Sequence, residues 1–254
     1  MDPRRPRPGW APCSGWRRPL PRRWPRAPLR AGDDRPPPTD GRTTRTAGGG
    51  ERPVYLPRSN PFGYAEGDTF RYQTIDTWKD EVTGEFTTAI EEVLDDGQMW
   101  ANGQQMQMDP QGRLKKVARA DGSVSEFTPS QDLWWSRPRR GESRLVRFKE
   151  TFRQDHRGQG ETEWKGSASV GRPRSITLPA GTFEVLPIET SGWYYEKLTH
   201  GARTSGQFSR TVWYSPRLGH PVAIDLEDAD RLGKVLRRER VELLHAQTAR
   251  ATPP

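Results

Sequence analysis

From residue 53 to residue 248 the sequence reads as an all-β domain, an antiparallel meander of about ten to twelve strands forming an open barrel or sandwich. Three observations predict it. Apolar and polar residues alternate with a period of two over most of this stretch, which puts successive side chains on opposite faces of a strand. Turn dipeptides recur at short intervals, so the chain reverses often. The hydrophobic fraction is only 31%, with 25 glycines and 24 prolines in 254 residues, too lean for a sheet covered by helices on both faces. An antiparallel layer with one wet face needs fewer apolar residues. Seven tryptophans and all eight phenylalanines fall after residue 52, so the core is expected to be strongly aromatic.

The elements follow in order. Phe70, Tyr72 and Thr74 share one face of a first strand after the Glu66-Gly67-Asp68 turn, and Phe86, Thr88 and Ile90 mark a second. Asp96-Gly97, Asn102-Gly103, Asp109-Pro110-Gln111-Gly112 and Asp121-Gly122 then supply the positive φ and type I geometry of tight reversals. Only short strands fit between them, at 98–101, 104–108 and 113–119. Val146, Phe148, Glu150 and Phe152 alternate with Arg147, Lys149 and Thr151 as a long half-buried strand, with a partner carrying Trp164, Ala168 and Val170. A strand ending at Leu178 turns through Pro179 and Ala180 into another running to about Glu189, and Trp193, Tyr195 and Leu198 continue the aromatic theme. Phe208, Val212 and Tyr214, with Arg210 among them, share a face; Val222, Ile224 and Leu226 follow the Pro216–Pro221 turn. The segment from Val235 to Leu244 contains good helix formers but alternates loosely after a hairpin loop, and reads as a closing strand.

Residues 1–52 are of another kind. They hold 13 of the 41 basic residues, all arginine, against five acids, so the whole net charge of +8 belongs to them and the rest of the chain is formally neutral. Eleven prolines and almost no Val, Ile, Leu or Phe predict a disordered arm. Three readings stand side by side: a start placed too early in GC-rich DNA, a solvated extension, or a binder of phosphates or anionic membrane through Arg with Trp10, Trp16 and Trp24. Residues 249–254 read as a disordered end. The neutral domain disfavours nucleic acid as its partner. No run approaches the ~20 apolar residues of a membrane helix, and no apolar signal core of about 7–15 residues is visible. The single cysteine, Cys13, excludes an intrachain disulfide and a thiolate zinc cage.

No catalytic motif is legible. His156, His200, His220 and His245 show no metal-ligand spacing, and there is no nucleophile elbow, phosphate loop or dinucleotide fingerprint. Glu91-Glu92, Asp95-Asp96 and Glu227-Asp228 are adjacent and point to opposite faces in strands. The expectation is a non-enzyme without cofactor or metal; the alternative is a hydrolase-type site using His220 or His200, with Asp225 as a candidate orienter of His220.

Leu178-Pro179-Ala180-Gly181-Thr182-Phe183 and Arg210-Thr211-Val212-Trp213-Tyr214-Ser215-Pro216-Arg217-Leu218-Gly219 resemble a pattern in β-rich bacterial cell-envelope proteins of unknown function. Gly67-Asp68-Thr69-Phe70-x-Tyr72 and the Asp-Gly meander are similar too, so the resemblance spans roughly residues 64–246. It implies an exported, periplasmic protein whose sheet curls into an open barrel related in shape to lipoprotein carriers. The signal expected of such proteins is not visible here: either the start is misassigned, the favoured reading, or this member stays inside and is cytoplasmic. Two features suit binding. Leu133-Trp134-Trp135 abuts Arg137-Pro138-Arg139-Arg140 as a lip for a membrane interface or anionic ligand, or else as a core Trp beside a solvated turn. Phe70, Tyr72, Phe86, Phe148, Phe152, Trp164, Phe183 and Trp193 form an aromatic face, either a cavity for an acyl chain or lipoprotein segment or a closed core. The candidate ligand-binding residues are therefore Trp134, Trp135, Phe148, Trp164, Phe183 and Trp193, with a lipid, lipoprotein segment or envelope protein as candidate partner.

Overall fold

The alternation seen from residue 69 onward becomes thirteen antiparallel strands in a computed structural model that describes residues 59–60, 62–154 and 158–249. The arm, His156 and residues 250–254 lie outside the described residues. The first half of the meander comprises β1 (Thr69–Asp76), β2 (Glu81–Val93), β3 (Met99–Ala101), β4 (Met106–Met108), β5 (Leu114–Ala118) and β6 (Val124–Thr128). Longer strands follow: β7 (Ser143–Gln154), β8 (Gly158–Val170), β9 (Arg174–Leu178), β10 (Gly181–Leu198), β11 (Arg203–Ser215), β12 (His220–Asp230) and β13 (Val235–Gln247). No helix occurs among the described residues. The segment with helix formers is β13, because its neighbours β12 and β1 supply a ladder on both sides.

Each strand from β1 to β8 and from β10 to β13 pairs with the next, β13 returns to β1, and β10 pairs with both β8 and β11. The ring therefore closes as twelve strands, which decides between the barrel and the sandwich and leaves no open edge in the ring. β9 is the thirteenth, paired only with the first five residues of β10. The sequence reading ended the latter strand near Glu189; it runs unbroken to Leu198, with Pro187 inside it. Pro187 is tolerated because the pairing of β10 passes from β9 to β8 at this point, between Val185 and Ile188.

An eight-stranded barrel is just filled by its own side chains, whereas sixteen or more strands leave a channel. Twelve strands fall between these limits, so the interior demands large side chains. The meander supplies them at alternate positions: Phe148 faces Trp164, Trp164 faces Tyr194, and Phe152 faces Gly160 across the ladders. Neighbouring backbones approach unusually closely where two glycines face each other. Gly166 of β8 pairs with Gly192 of β10, and a Cβ on Gly192 would strike the Lys165 carbonyl and the Gly166 Cα. Only two glycines let the backbones pinch this closely.

The two ends of the barrel differ. One end receives residues 59–68, the 129–142 segment, β9 and the 216–219 turn; the other is crossed by short hairpin turns. At the covered end the core is densest, with Ile90, Met99, Ala101, Ile188, Val222, Ala223 and Leu243 each 2% exposed or less. Asp68 ties this end together: its carboxylate accepts from Ala65 N and from Ala249 N, both at 2.8 Å. Asn60 does the same for the entering segment, donating to the Pro110 carbonyl at 2.8 Å and accepting from Phe62 N and Tyr64 N.

Candidate functional site in the barrel interior

Two sets of side chains inside the ring carry chemistry. The first is at the covered end. The His220 ring stacks on Phe70 with centroids 3.9 Å apart and lies edge-on to Tyr64 and Trp134. Its Nδ1 is 2.7 Å from Tyr64 Oη and its Nε2 is 2.6 Å from Tyr72 Oη, while the Tyr72 hydroxyl donates to the Pro221 carbonyl at 3.0 Å. Counting protons fixes the tautomer. Tyr72 has one proton and spends it on Pro221, so it must accept from Nε2–H; Nδ1 is then the bare acceptor of the Tyr64 hydroxyl. The chain runs Tyr64, His220, Tyr72, Pro221 with every donor used. Burial lowers the His220 pKa to about 3 and raises both tyrosine hydroxyls above their ordinary value. A base so weak is poorly matched to proton abstraction near neutral pH. Gly112 makes the arrangement possible: its φ is +81° and a Cβ there would sit 2.5 Å from Tyr64 Oη.

Asp225, the imagined orienter of His220, takes no part. It accepts from Trp213 Nε1 at 2.7 Å and from Arg240 Nη1 at 2.9 Å. His200 is exposed in the turn between β10 and β11. Among the described residues, no three His, Cys, Asp or Glu side chains are grouped so as to hold a metal ion.

The second set lies further along the interior. Trp164 of β8 stacks on Phe148 at 5.7 Å and meets Tyr194 at 5.5 Å and Phe208 edge-on at 5.2 Å. The Arg210 guanidinium stands 6.0 Å from the Trp164 ring and 5.8 Å from the Phe208 ring. Arg210 is 5% exposed and fully engaged: it donates to the Ser209 and Glu227 carbonyls and to Asp228, which also faces Arg237 at 3.7 Å. Burial pulls the Arg210 pKa below its ordinary value and Asp228 opposes that pull. Around this aromatic and ionic wall, three buried polar atoms have no hydrogen-bond partner within the protein: Trp164 Nε1, Thr190 Oγ1 and Ser125 Oγ. Thr190 is 1% exposed and Ser125 0%, and their ladder partners Arg210 and Phe152 identify their side chains as facing inward. An indole N–H left without an acceptor is costly, roughly 1–3 kcal/mol, so such atoms mark places where something else supplies the bond.

The sequence-predicted residues separate accordingly. Phe148 and Trp164 are brought together in this wall. Trp134 and Trp135 are both buried at the covered end, so they make no exposed lip. Trp134 packs on Tyr214 and His220, while Trp135 donates to Glu142 at 3.1 Å beneath the Arg144 guanidinium. Phe183 is half-buried where β10 pairs with Ile176 of β9. Trp193 does not share the aromatic face. It stands 39% exposed on the outside with Tyr195, because Gly192 and Tyr194 take the inward positions of β10. Sequence reasoning missed Tyr64, Thr190 and Ser125. Only the inward parity of Arg210, between Phe208 and Val212, was visible in the pattern.

No protein-family model and no curated protein matches the chain. Solved structures similar to it include three bacterial proteins. A candidate lipoprotein from Parabacteroides distasonis is 13% identical, with 75% of this chain and 100% of that chain covered at a TM-score of 0.42. A candidate exported protein with a YmcC-like fold from Bacteroides fragilis is 10% identical, with the same coverage and TM-score. The hypothetical lipoprotein YmcC from Escherichia coli is 11% identical, with 74% of this chain and 85% of that chain covered at a TM-score of 0.45.

Proposed function

We propose that this protein is a non-catalytic cell-envelope barrel that encloses an amphiphile, an acyl chain or acylated lipoprotein segment, against the wall built by Phe148, Trp164, Tyr194 and Phe208. The observation that carries the reading is the unpaired Trp164 Nε1 and Thr190 Oγ1, buried beside an otherwise aromatic surface. An apolar body suits the rings and an acceptor group on the same molecule suits the free donors. The Tyr64–His220–Tyr72 chain supports the non-catalytic half of the reading, since its protons are committed to structure and its imidazole is held neutral and weakly basic. The envelope location rests on the motifs around Pro179–Phe183 and Trp213–Gly219, both of which form turns flanked by strands.

A brominated fatty acid tests the proposal, because bromine quenches tryptophan fluorescence only on contact. Titrating the full chain with dibromostearic acid is expected to give saturable quenching that is largely lost in Trp164→Phe. Absence of saturable quenching in the wild-type protein, or equal quenching in the variant, overturns an interior site at this wall.

A further inference from the structure

Among the described residues seven large apolar side chains are exposed; Leu145, Trp193 and Tyr195 stand singly or as a pair on β7 and β10, and the other four cluster. Trp78 (54% exposed), Val82 (51%), Leu232 (84%) and Leu236 (48%) belong to two hairpins, β1–β2 and β12–β13, at the end of the barrel opposite the buried tryptophans. The hairpins are neighbours, since β13 pairs with β1, and Thr77 N and Oγ1 both donate to the Arg238 carbonyl. They also repeat one design. Asp76 Oδ1 accepts from Trp78 N at 3.0 Å, and Asp230 Oδ1 accepts from Leu232 N at 2.8 Å. Each turn then reverses through a positive φ, at Asp80 (53°) and Gly233 (82°). In both hairpins the aspartate fixes the turn, the residue two positions on projects an apolar side chain from the tip, and another apolar residue follows four positions later.

Turn tips ordinarily carry polar or small residues. The other described turns at this end obey that rule, with Gly103 and Gln104, Asp121 and Gly122, and His200 and Gly201. Trp78 and Leu232 break it in neighbouring hairpins. Nothing in the fold rewards their exposure, which marks them for burial elsewhere.

From this geometry we infer that the paired hairpins are a membrane-docking lip that inserts Trp78 and Leu232 into the interfacial layer of a lipid bilayer. The shape fits that occupant better than a protein face: two separated convex tips, each with its second apolar residue set back along the strand, match shallow penetration of a soft surface. An indole is the side chain best suited to the headgroup boundary. Arg231 and Lys234 flank the Leu232 tip and can reach phosphates, while Lys79 lies 3.8 Å from Asp76 and Asp230 is turned back onto its own backbone. Asp76, Asp80, Glu81 and Asp230 offset these three bases in full, so apolar insertion rather than net charge dominates. The inference stands whether or not the interior holds a ligand.

The test is sedimentation of the full chain with phosphatidylcholine vesicles, with and without phosphatidylglycerol. Trp78→Ser/Leu232→Ser is compared with Trp193→Ser/Tyr195→Ser on the outer wall, all at matched thermal midpoints. The tip variant is expected to lose vesicle affinity by at least about tenfold, as removal of two inserted side chains requires. The wall variant is expected to bind like wild type, and high salt to weaken binding by much less than the tip substitutions. Failure of the wild type to sediment with either vesicle, undiminished binding by the tip variant, or a wild-type dimer that the tip substitutions convert to monomer would each overturn the inference. Because dibromostearate quenching reads the interior and sedimentation reads the tips, failure of one leaves the other legible.

Discussion

Acidification strikes the Tyr64–His220–Tyr72 chain directly, and its cost can be worked through. In the folded protein His220 is neutral, with Nε2–H donating to Tyr72 and Nδ1 accepting from Tyr64. Its pKa is about 3 there against an ordinary 6.5, a gap of roughly 3.5 pH units at about 1.4 kcal/mol each. Above the ordinary value neither the folded nor the unfolded imidazole is charged, and the group contributes nothing to pH dependence. As pH falls below it, the unfolded chain binds a proton that the folded chain refuses, so stability declines. At about pH 5 the loss reaches roughly 2 kcal/mol, and it continues toward about pH 3. His220 retains part of its accessible surface, so solvent screening makes these figures upper bounds. Urea unfolding at about pH 7.5 and about pH 5 measures the difference. In His220→Gln, which has no titrating ring, the slope of stability with pH should flatten by most of that amount over this window, whatever the variant's absolute stability. Nitrogen-15 NMR of the wild type should show a neutral ring protonated at Nε2 throughout. A ring that titrates near 6, or a variant with an unchanged slope, would refute both the proton count and the burial argument.

Two further perturbations test the architecture. Gly192→Ala places a methyl group against the Lys165 carbonyl at the pinch between β8 and β10, and should destabilise the barrel by about 2–3 kcal/mol in chemical denaturation; an unchanged midpoint would mean that the wall is not pinched there. Arg210→Met removes the buried partner of Asp228 and should cost about 3 kcal/mol. The double variant Arg210→Met/Asp228→Leu should recover much of this loss, and additive losses from the two substitutions would show that the pair does not act as a unit.

Much of the fold was legible because its signals are local. Asp96-Gly97, Asn102-Gly103, Asp109-Pro110-Gln111-Gly112 and Asp121-Gly122 adopt positive φ at Asn102 and at each glycine, and the three short strands between them lie within the predicted bounds. The aromatic positions were readable by parity up to Trp164. Parity failed at Trp193 because the alternation shifts near Pro187, where β10 exchanges one neighbour for another, and that exchange leaves no mark in a single strand's pattern. For Trp134 and Trp135 the choice between lip and core stayed open for a related reason. They sit in a loop, where no period states which way a side chain faces.

The amino-acid sequence alone determined that the chain alternates, turns often and must use aromatic rings as core, since these properties depend on neighbours a few positions apart. Tertiary structure alone decided that the ring closes through β10 and β11. It also joined Tyr64 to His220 across 156 positions and made neighbours of the β1–β2 and β12–β13 hairpins that carry Trp78 and Leu232. The physical reason is separation along the chain. Such contacts are selected by the shear and curvature of a finished barrel, which no segment of the sequence encodes by itself.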